Sequence, residues 1–262
     1  MSESSIHRWR AGALHPLDFC DPASVTIAAA DSWLVTGGTM LALDLHRQRF
    51  FDGADGHVAD LAEFWRASID AIPRTGDWFP RVEVQLKGGA PLAVFRLRSA
   101  PERSRSVRLA SHHGADPRTA PRTKGPDTAV LLRIRTEAQA AGADEAVILS
   151  PRGFVIEGAY SAILWWRGDV LCMPSPDLDR VDSVTARSVI ALANALGVEV
   201  YPESVTPAEL DGCEIWALSA LHGIRIATAW VDGPAPAELP GRLATWRARL
   251  DRLRRPLPVP KD

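Results

Sequence analysis

The chain has 262 residues, of which 46% are hydrophobic and 24% charged. That is the composition of a folded globular protein rather than a disordered one. Thirty basic residues against 32 acidic ones leave a net charge of −2, which excludes a chain built as a whole to hold nucleic acid or an anionic membrane.

In chain order, Val25–Ala29 and Met40–Leu45 are short apolar runs between turn signals and are predicted to be strands. His57–Ile72 carries Val58, Leu61, Phe64, Trp65 and Ile69 at a helical period. Arg81–Leu86 and Leu92–Leu97 flank a Gly88-Gly89 turn and read as a hairpin, with Val107–Ala110 as a further strand. Composition then shifts. Residues Ser111–Pro126 hold two His, three Pro and two Gly and almost nothing apolar, as expected of a linker or a functional loop. A domain boundary falls there, giving domains 1–115 and 116–262.

The second part alternates more regularly. Helices are expected at Asp127–Ala141, at Ser183–Leu196 (closed by Gly197) and at Leu239–Leu253. Strands are expected at Ala146–Leu149, Phe154–Ile156, Ile163–Trp166, Val170–Met173, Val198–Tyr201, Glu214–Leu218 and Ile224–Thr228. Thr206-Pro207-Ala208-Glu209 has the form of a capping box with Pro at its first helical position. The class is mixed α and β.

Several chemistries have no signature here. The sequence contains no GxGxxG or GxxxxGK[ST] nucleotide fingerprint, no CxxC and no HExxH. His112-His113 reads as a solvated loop pair, and no metal is expected. Cys20, Cys172 and Cys213 are odd in number and far apart, which suits a reducing compartment. With no apolar span or export signal visible, a cytoplasmic location is expected. Only three lysines occur, Lys87, Lys124 and Lys261, so amine chemistry has three candidates. Lys87 falls in a hairpin turn and Lys261 in a Pro-rich tail, both expected to face solvent.

The stretch Arg122-Thr123-Lys124-Gly125-Pro126, followed by Gly142-Ala143-Asp144-Glu145-Ala146 and Phe154-Val155-Ile156-Glu157-Gly158, resembles the class IV aminotransferases, the pyridoxal-phosphate enzymes of fold type IV. The resemblance continues through Asp182-Ser183-Val184-Thr185-Ala186-Arg187 and Ser219-Ala220-Leu221-His222-Gly223-Ile224-Arg225. Lys124 and Glu157 are 33 residues apart, as in the aminodeoxychorismate lyase branch. Ser219-Ala220-Leu221 is likewise more similar to that branch's Asn-Ala-Leu than to the transaminases' Gly-Thr-Ala.

The resemblance implies roles residue by residue. Lys124 matches the lysine that bonds pyridoxal phosphate and shuttles protons. Glu157 matches the carboxylate facing the pyridine nitrogen. Val184 and Thr185, at a helix N-terminus that favours anions, match one phosphate contact, and Ser219 and Ala220 match the second. Arg49, three residues after His46, matches the phosphate-binding arginine. His222 and Arg225 are candidates for substrate carboxylates. Three departures stand out. The family's aromatic- and Gly-rich segment has no counterpart in the 15 residues between Asp31 and His46, its Pro-Gly before the phosphate helix is Asp182-Ser183, and its Asn after the Glu is Ala162.

The implied architecture is a two-domain fold-type IV α/β (α+β) protein. It has a shortened small N-terminal α+β domain and a larger C-terminal mixed-sheet domain, with the cofactor in the cleft between them. The implied assembly is a homodimer acting on a small amino substrate, with no nucleic acid or membrane partner. The implied activity is aminodeoxychorismate lyase, releasing pyruvate and leaving 4-aminobenzoate for folate synthesis. The alternatives are a branched-chain or D-amino-acid aminotransferase, or a non-catalytic descendant that binds a ligand or partner.

Overall fold

A computed structural model describes residues 4–17 and 25–259; Cys20 and Lys261 lie outside the described residues. The chain divides into two units, one of residues 1–102, 123–126 and 253–262, the other of residues 103–122 and 127–252.

The first unit opens with a hairpin, β1 (Ser5–Arg10) and β2 (Ala13–Pro16), and continues into β3 (Val25–Ser32). Short strands β4 (Val35–Thr36) and β5 (Thr39–Met40) lead into helices α1 (Leu43–Ala54) and α2 (Leu61–Asp70). Then come β6 (Asp77–Trp78), β7 (Arg81–Lys87) and β8 (Ala90–Leu97). The sheet order is β2-β1-β8-β7-β3, antiparallel throughout. The β7–β8 turn is the two residues Gly88-Gly89, with φ of 57° and 83°. Only glycine enters that region cheaply, and this turn matches the twist of the flanking strands. Trp33, Phe50, Phe64, Trp65, Val82 and Phe95 form the centre of this unit's core.

One expectation for this part is corrected. Met40–Leu45 is not one strand: it ends β5 and begins α1. The α1 face that packs inward is His46, Phe50 and Ala54, one polar, one aromatic and one small, so the helical period carried no apolar stripe. The β1–β2 hairpin was also not anticipated, because its residues are half-buried or exposed and do not alternate cleanly.

The second unit contains β9 (Ser106–Ser111), α3 (Thr128–Ala140), β10 (Glu145–Leu149), β11 (Val155–Gly158), β12 (Ala162–Arg167) and β13 (Val170–Pro174). It continues with α4 (Val184–Ala195), β14 (Val200–Glu203), β15 (Glu214–Ser219), β16 (Gly223–Val231) and α5 (Arg242–Asp251). The chain then returns to the first unit as β17 (Arg255–Pro256), completing a small sheet of order β17-β5-β4-β6. The large sheet runs β11-β10-β9-β16-β15-β12-β13-β14. It is mixed: β9 is parallel to both β10 and β16, and β13 to β14. Leu109, Val147, Ile163, Trp165 and Ile215 fill one core, while Ile134 of α3 clusters with Ile148 and Ile156 in another. The Thr206 capping box forms with both its hydrogen bonds, but it starts a short 3-10 turn, Pro207–Leu210. Cys172 and Cys213 are buried free thiols, and burial pushes Cys172 up to about 12. No helix among the described residues is long and apolar enough to cross a membrane.

Candidate active site

In the first unit, Lys124 is half-buried and its backbone lies against β3, where the Ala30 amide donates to the Lys124 carbonyl at 2.7 Å. The next residue makes that approach possible. Gly125 has φ of 136°, and a Cβ there would stand 2.8 Å from the Ala30 nitrogen and 2.9 Å from the Ala29 carbonyl carbon. Only a glycine lets the lysine-bearing strap press so closely on a strand. Lys87, by contrast, ends β7 exposed.

One residue beyond Ala30, Asp31 is fully buried. Its carboxylate accepts a fork from Arg49, Nε to Oδ2 and Nη2 to Oδ1, both at 2.8 Å. His46 Nδ1 lies 2.8 Å from Oδ1 and, facing a carboxylate, donates. The Ser32 amide adds a 2.7 Å bond to the same oxygen. Burial alone would raise the Asp31 pKa, but Arg49 and His46 outweigh it and hold the carboxyl well below the usual range. Burial lowers the His46 pKa against the pull of Asp31, and the charges of Arg49 and Lys124 push it further down. Arg49 and Lys124 are therefore brought together through Ala30 and Asp31 on β3. The expected Arg49 is present, and it is oriented by a carboxylate that the sequence did not single out.

In the second unit, Glu157 sits buried on β11. Its Oε1 accepts from Arg118 in a close ion pair and from the Val181 amide at 3.3 Å. Arg118 also forks Asp116, Nε to Oδ1 at 2.9 Å and Nη2 to Oδ2 at 2.6 Å. Burial opposes its charge, yet the two carboxylates prevail and raise its pKa. Asp127 begins α3 but does not cap it. Its carboxylate turns back to accept from the Thr119 amide and hydroxyl and the Ala120 amide, at 2.9, 2.9 and 3.0 Å.

Three residues after Val181, α4 begins. Ser183 is its N-cap, and Ser183 Oγ accepts from the Ala186 amide at 3.3 Å. The cap thus uses neither the Val184 nor the Thr185 amide, and both of these residues are buried. Free amides at a helix start, with the Thr185 hydroxyl beside them, are donors suited to an anion. Ser219 and Ala220 form the half-buried turn that leaves β15, and Ser219 Oγ accepts from the His222 amide at 3.2 Å.

The Gly142-Ala143-Asp144-Glu145-Ala146 element has a structural reading. Buried Glu145 accepts from the Ser161 hydroxyl at 3.1 Å and the Tyr160 amide at 3.2 Å, and it faces Arg225 at 3.5 Å. It braces the turn after Glu157 and ties it to β16. Arg225, expected as a candidate for a substrate carboxylate, is 4% exposed, and the carboxylate it faces here is the buried Glu145. His222 accepts from the Ser104 amide at Nδ1, at 3.1 Å. Burial, aided by Arg225, Arg135, Arg247 and Arg103, lowers it to about 4, so it is neutral near pH 7. Among the described residues no group of three or more His, Cys, Asp or Glu side chains is placed to hold a metal ion.

The family described as amino-transferase class IV matches residues 28–230. The chain belongs to that family, which comprises pyridoxal-phosphate-dependent enzymes. Among solved structures, the branched-chain amino-acid aminotransferase of Escherichia coli superposes with TM-score 0.81 at 15% identity, covering 95% of this chain and 94% of that one. The branched-chain aminotransferase of Thermoproteus uzoniensis, solved with norvaline, gives 0.81 at 19%, covering 97% and 100%. A hypothetical aminotransferase of Mycobacterium tuberculosis in its pyridoxal-phosphate-bound form gives 0.80 at 18%, covering 96% and 98%. These likenesses establish the fold as that of fold-type IV aminotransferases. No curated protein matches the chain significantly in sequence.

Sequence reasoning missed Asp31 and Arg118 as partners of the candidate residues. Asp31 carried one signal, an acid set in the apolar run Ala28-Ala29-Ala30-Asp31-Ser32-Trp33. Arg118 carried none, since it is one arginine in a loop of polar residues.

Proposed function

We propose that the chain acts on a small amino substrate with pyridoxal phosphate bonded to Lys124. The observation that carries this reading is the placement of Lys124, whose carbonyl is pinned to β3 and whose neighbour Gly125 alone permits the contact. The remaining candidates fit the cofactor's chemistry. The Val184 and Thr185 amides, the Thr185 hydroxyl, the Ser219–Ala220 turn and the Arg49 guanidinium are anion donors for its phosphate. Glu157 is the acceptor for its ring nitrogen, where a negative charge favours the protonated form. When bound, pyridoxal phosphate supplies an electron sink for the bonds at the substrate's amine-bearing carbon.

The protein's own groups do the rest. With the cofactor bound, the Lys124 Nζ would be the base and acid that moves the proton. Asp31 and His46 keep Arg49 from swinging away, and Arg118 and the Val181 amide hold the Glu157 carboxylate in place. We assign the reaction to aminodeoxychorismate lyase, in which proton loss and pyruvate departure leave 4-aminobenzoate. The 33-residue spacing of Lys124 and Glu157 and the Ser219-Ala220-Leu221 turn support it over transamination. Membership of a family described as amino-transferases favours the second reading, an amino-acid aminotransferase. In either reading the working unit is proposed to be a homodimer.

The test is to supply aminodeoxychorismate without an amino acceptor. Pyruvate and 4-aminobenzoate in equal amounts establish the lyase. Turnover only with an amino acid and a keto acid establishes the aminotransferase, and neither activity in cofactor-loaded protein contradicts both.

A further inference from the structure

A cavity of about 230 Å³ lies wholly within the second unit, against the first turns of α4, strands β12 and β13, and the 174–183 segment. Leu164, Met173, Leu178 and Ile190 supply apolar surface to it. Arginines 122, 180 and 187 line the same space, against a single lining carboxylate, Asp182. The three arginines are not equivalent. Arg122 is paired with Asp179 at 2.6 Å and Arg187 with Asp182 at 2.9 Å.

Arg180 has no such carboxylate. Its Nη1 donates to the carbonyls of Ser175 and Leu178, at 2.7 and 3.1 Å, and its Nε and Nη2 make no hydrogen bond among the described residues. Half-buried and unmatched, it is the group in this cavity that an anion would satisfy. Burial lowers its pKa and Arg122 adds to this, while the more distant charges of Glu157 and Asp182 oppose it, and the net direction is down.

We propose that this cavity is a binding site for a small monocarboxylate with a branched aliphatic or aromatic body. The carboxylate sits on Arg180 and the body on Leu164, Met173, Leu178 and Ile190. The volume equals about eight waters, which suits a molecule of the size of isovalerate or benzoate. An apolar wall disfavours phosphate and sugars, whose remaining polar groups would be buried without partners. The site is regulatory. Arg180 precedes Val181, whose amide holds Glu157 at 3.3 Å, so occupancy bears on that carboxylate. This last step rests on the role proposed for Glu157; the binding itself does not.

The experiment is calorimetric titration of the full-length protein, saturated with pyridoxal phosphate, with benzoate, isovalerate and benzamide. Arg180→Gln, Ala186→Leu (a larger side chain at a lining position on α4) and Lys124→Ala are titrated alongside. The fold of each variant is checked by circular dichroism. Saturable binding of both carboxylates, at least tenfold weaker for benzamide, in Arg180→Gln and in Ala186→Leu, and retained in Lys124→Ala, is the expected result. Retention in Lys124→Ala separates this site from the lysine's own, so it stands or falls apart from the proposed reaction. No saturable binding, equal binding of benzamide, or carboxylate binding unchanged in either cavity variant overturns the proposal.

Discussion

Asp31 and Arg49 form a forked, buried ion pair, with two 2.8 Å hydrogen bonds joining the two carboxylate oxygens to Nε and Nη2 of one guanidinium. The pair links β3, on which the Lys124 carbonyl is anchored, to α1, which carries the arginine proposed for the phosphate. Removing one partner of such a pair leaves the other charge buried alone, which costs about 3–5 kcal/mol. Asp31→Ala is expected to lose stability of that order in urea denaturation, with weakened cofactor binding. Arg49→Lys, which keeps the charge but not the fork, should retain part of both.

The same pair predicts a pH dependence. The folded pKa of Asp31 lies below its unfolded value, so its contribution is present above about pH 4. It is lost as pH falls further, through the folded pKa. An acid titration of stability should show a steeper loss below about pH 4 in the wild type than in Asp31→Asn, which has no such proton to take up.

His222 acts in the range above. Its folded value of about 4 lies below the usual 6.5, so from pH 6.5 down to 4 the unfolded chain binds the extra proton. Stability contributed by the neutral ring is complete above pH 6.5 and declines as pH falls through that window. Thermal melts at pH 7 and pH 4.5 should show a smaller drop in His222→Gln than in the wild type, by on the order of 3 °C.

Gly125→Ala places a Cβ 2.8 Å from the Ala30 nitrogen, at a φ that non-glycine residues rarely adopt. Backbone atoms cannot step aside as a flexible side chain can. The expected outcome is a destabilisation of about 1–3 kcal/mol and loss of covalently held cofactor. Chemical denaturation and absorbance of the bound pyridoxal phosphate measure the two effects separately.

Thr185→Val removes a hydroxyl while keeping the shape of the α4 start. If that hydroxyl and the neighbouring amides hold the cofactor's phosphate, the loss of one charge-assisted bond, about 1.5–3 kcal/mol, should weaken pyridoxal phosphate binding by more than tenfold. Fluorescence titration of the cofactor-free protein measures it. An unchanged affinity would remove Thr185 from the phosphate site.

Local chemistry explains which parts were legible in sequence. Helix α4 was readable at both ends: of the two adjacent cap candidates Asp182 and Ser183, Ser183 is the N-cap, and Gly197, at φ of 70°, follows the helix. The hairpins turning at Gly88-Gly89 and Gly168-Asp169 were fixed by two-residue turns between apolar runs. Helix α1 was hidden because His46 occupies a place on its inward face, and that histidine is buried only because Asp31, fifteen residues earlier, receives it. Arg118 was invisible for a related reason. Its partner Glu157 is 39 residues away, and no local pattern encodes such a pairing. The motif residues were recognisable one at a time, whereas the ion pairs that orient them are long-range and became readable only in the fold.

Every role proposed for the site depends on Lys124 carrying pyridoxal phosphate. The most direct test incubates the purified protein with the cofactor, reduces it with borohydride, digests it and locates the modified peptide by mass spectrometry. A phosphopyridoxyl group on Lys124, absent from Lys124→Ala, is the predicted result. A folded sample with no adduct, or with the adduct on Lys87 or Lys261 instead, would contradict it.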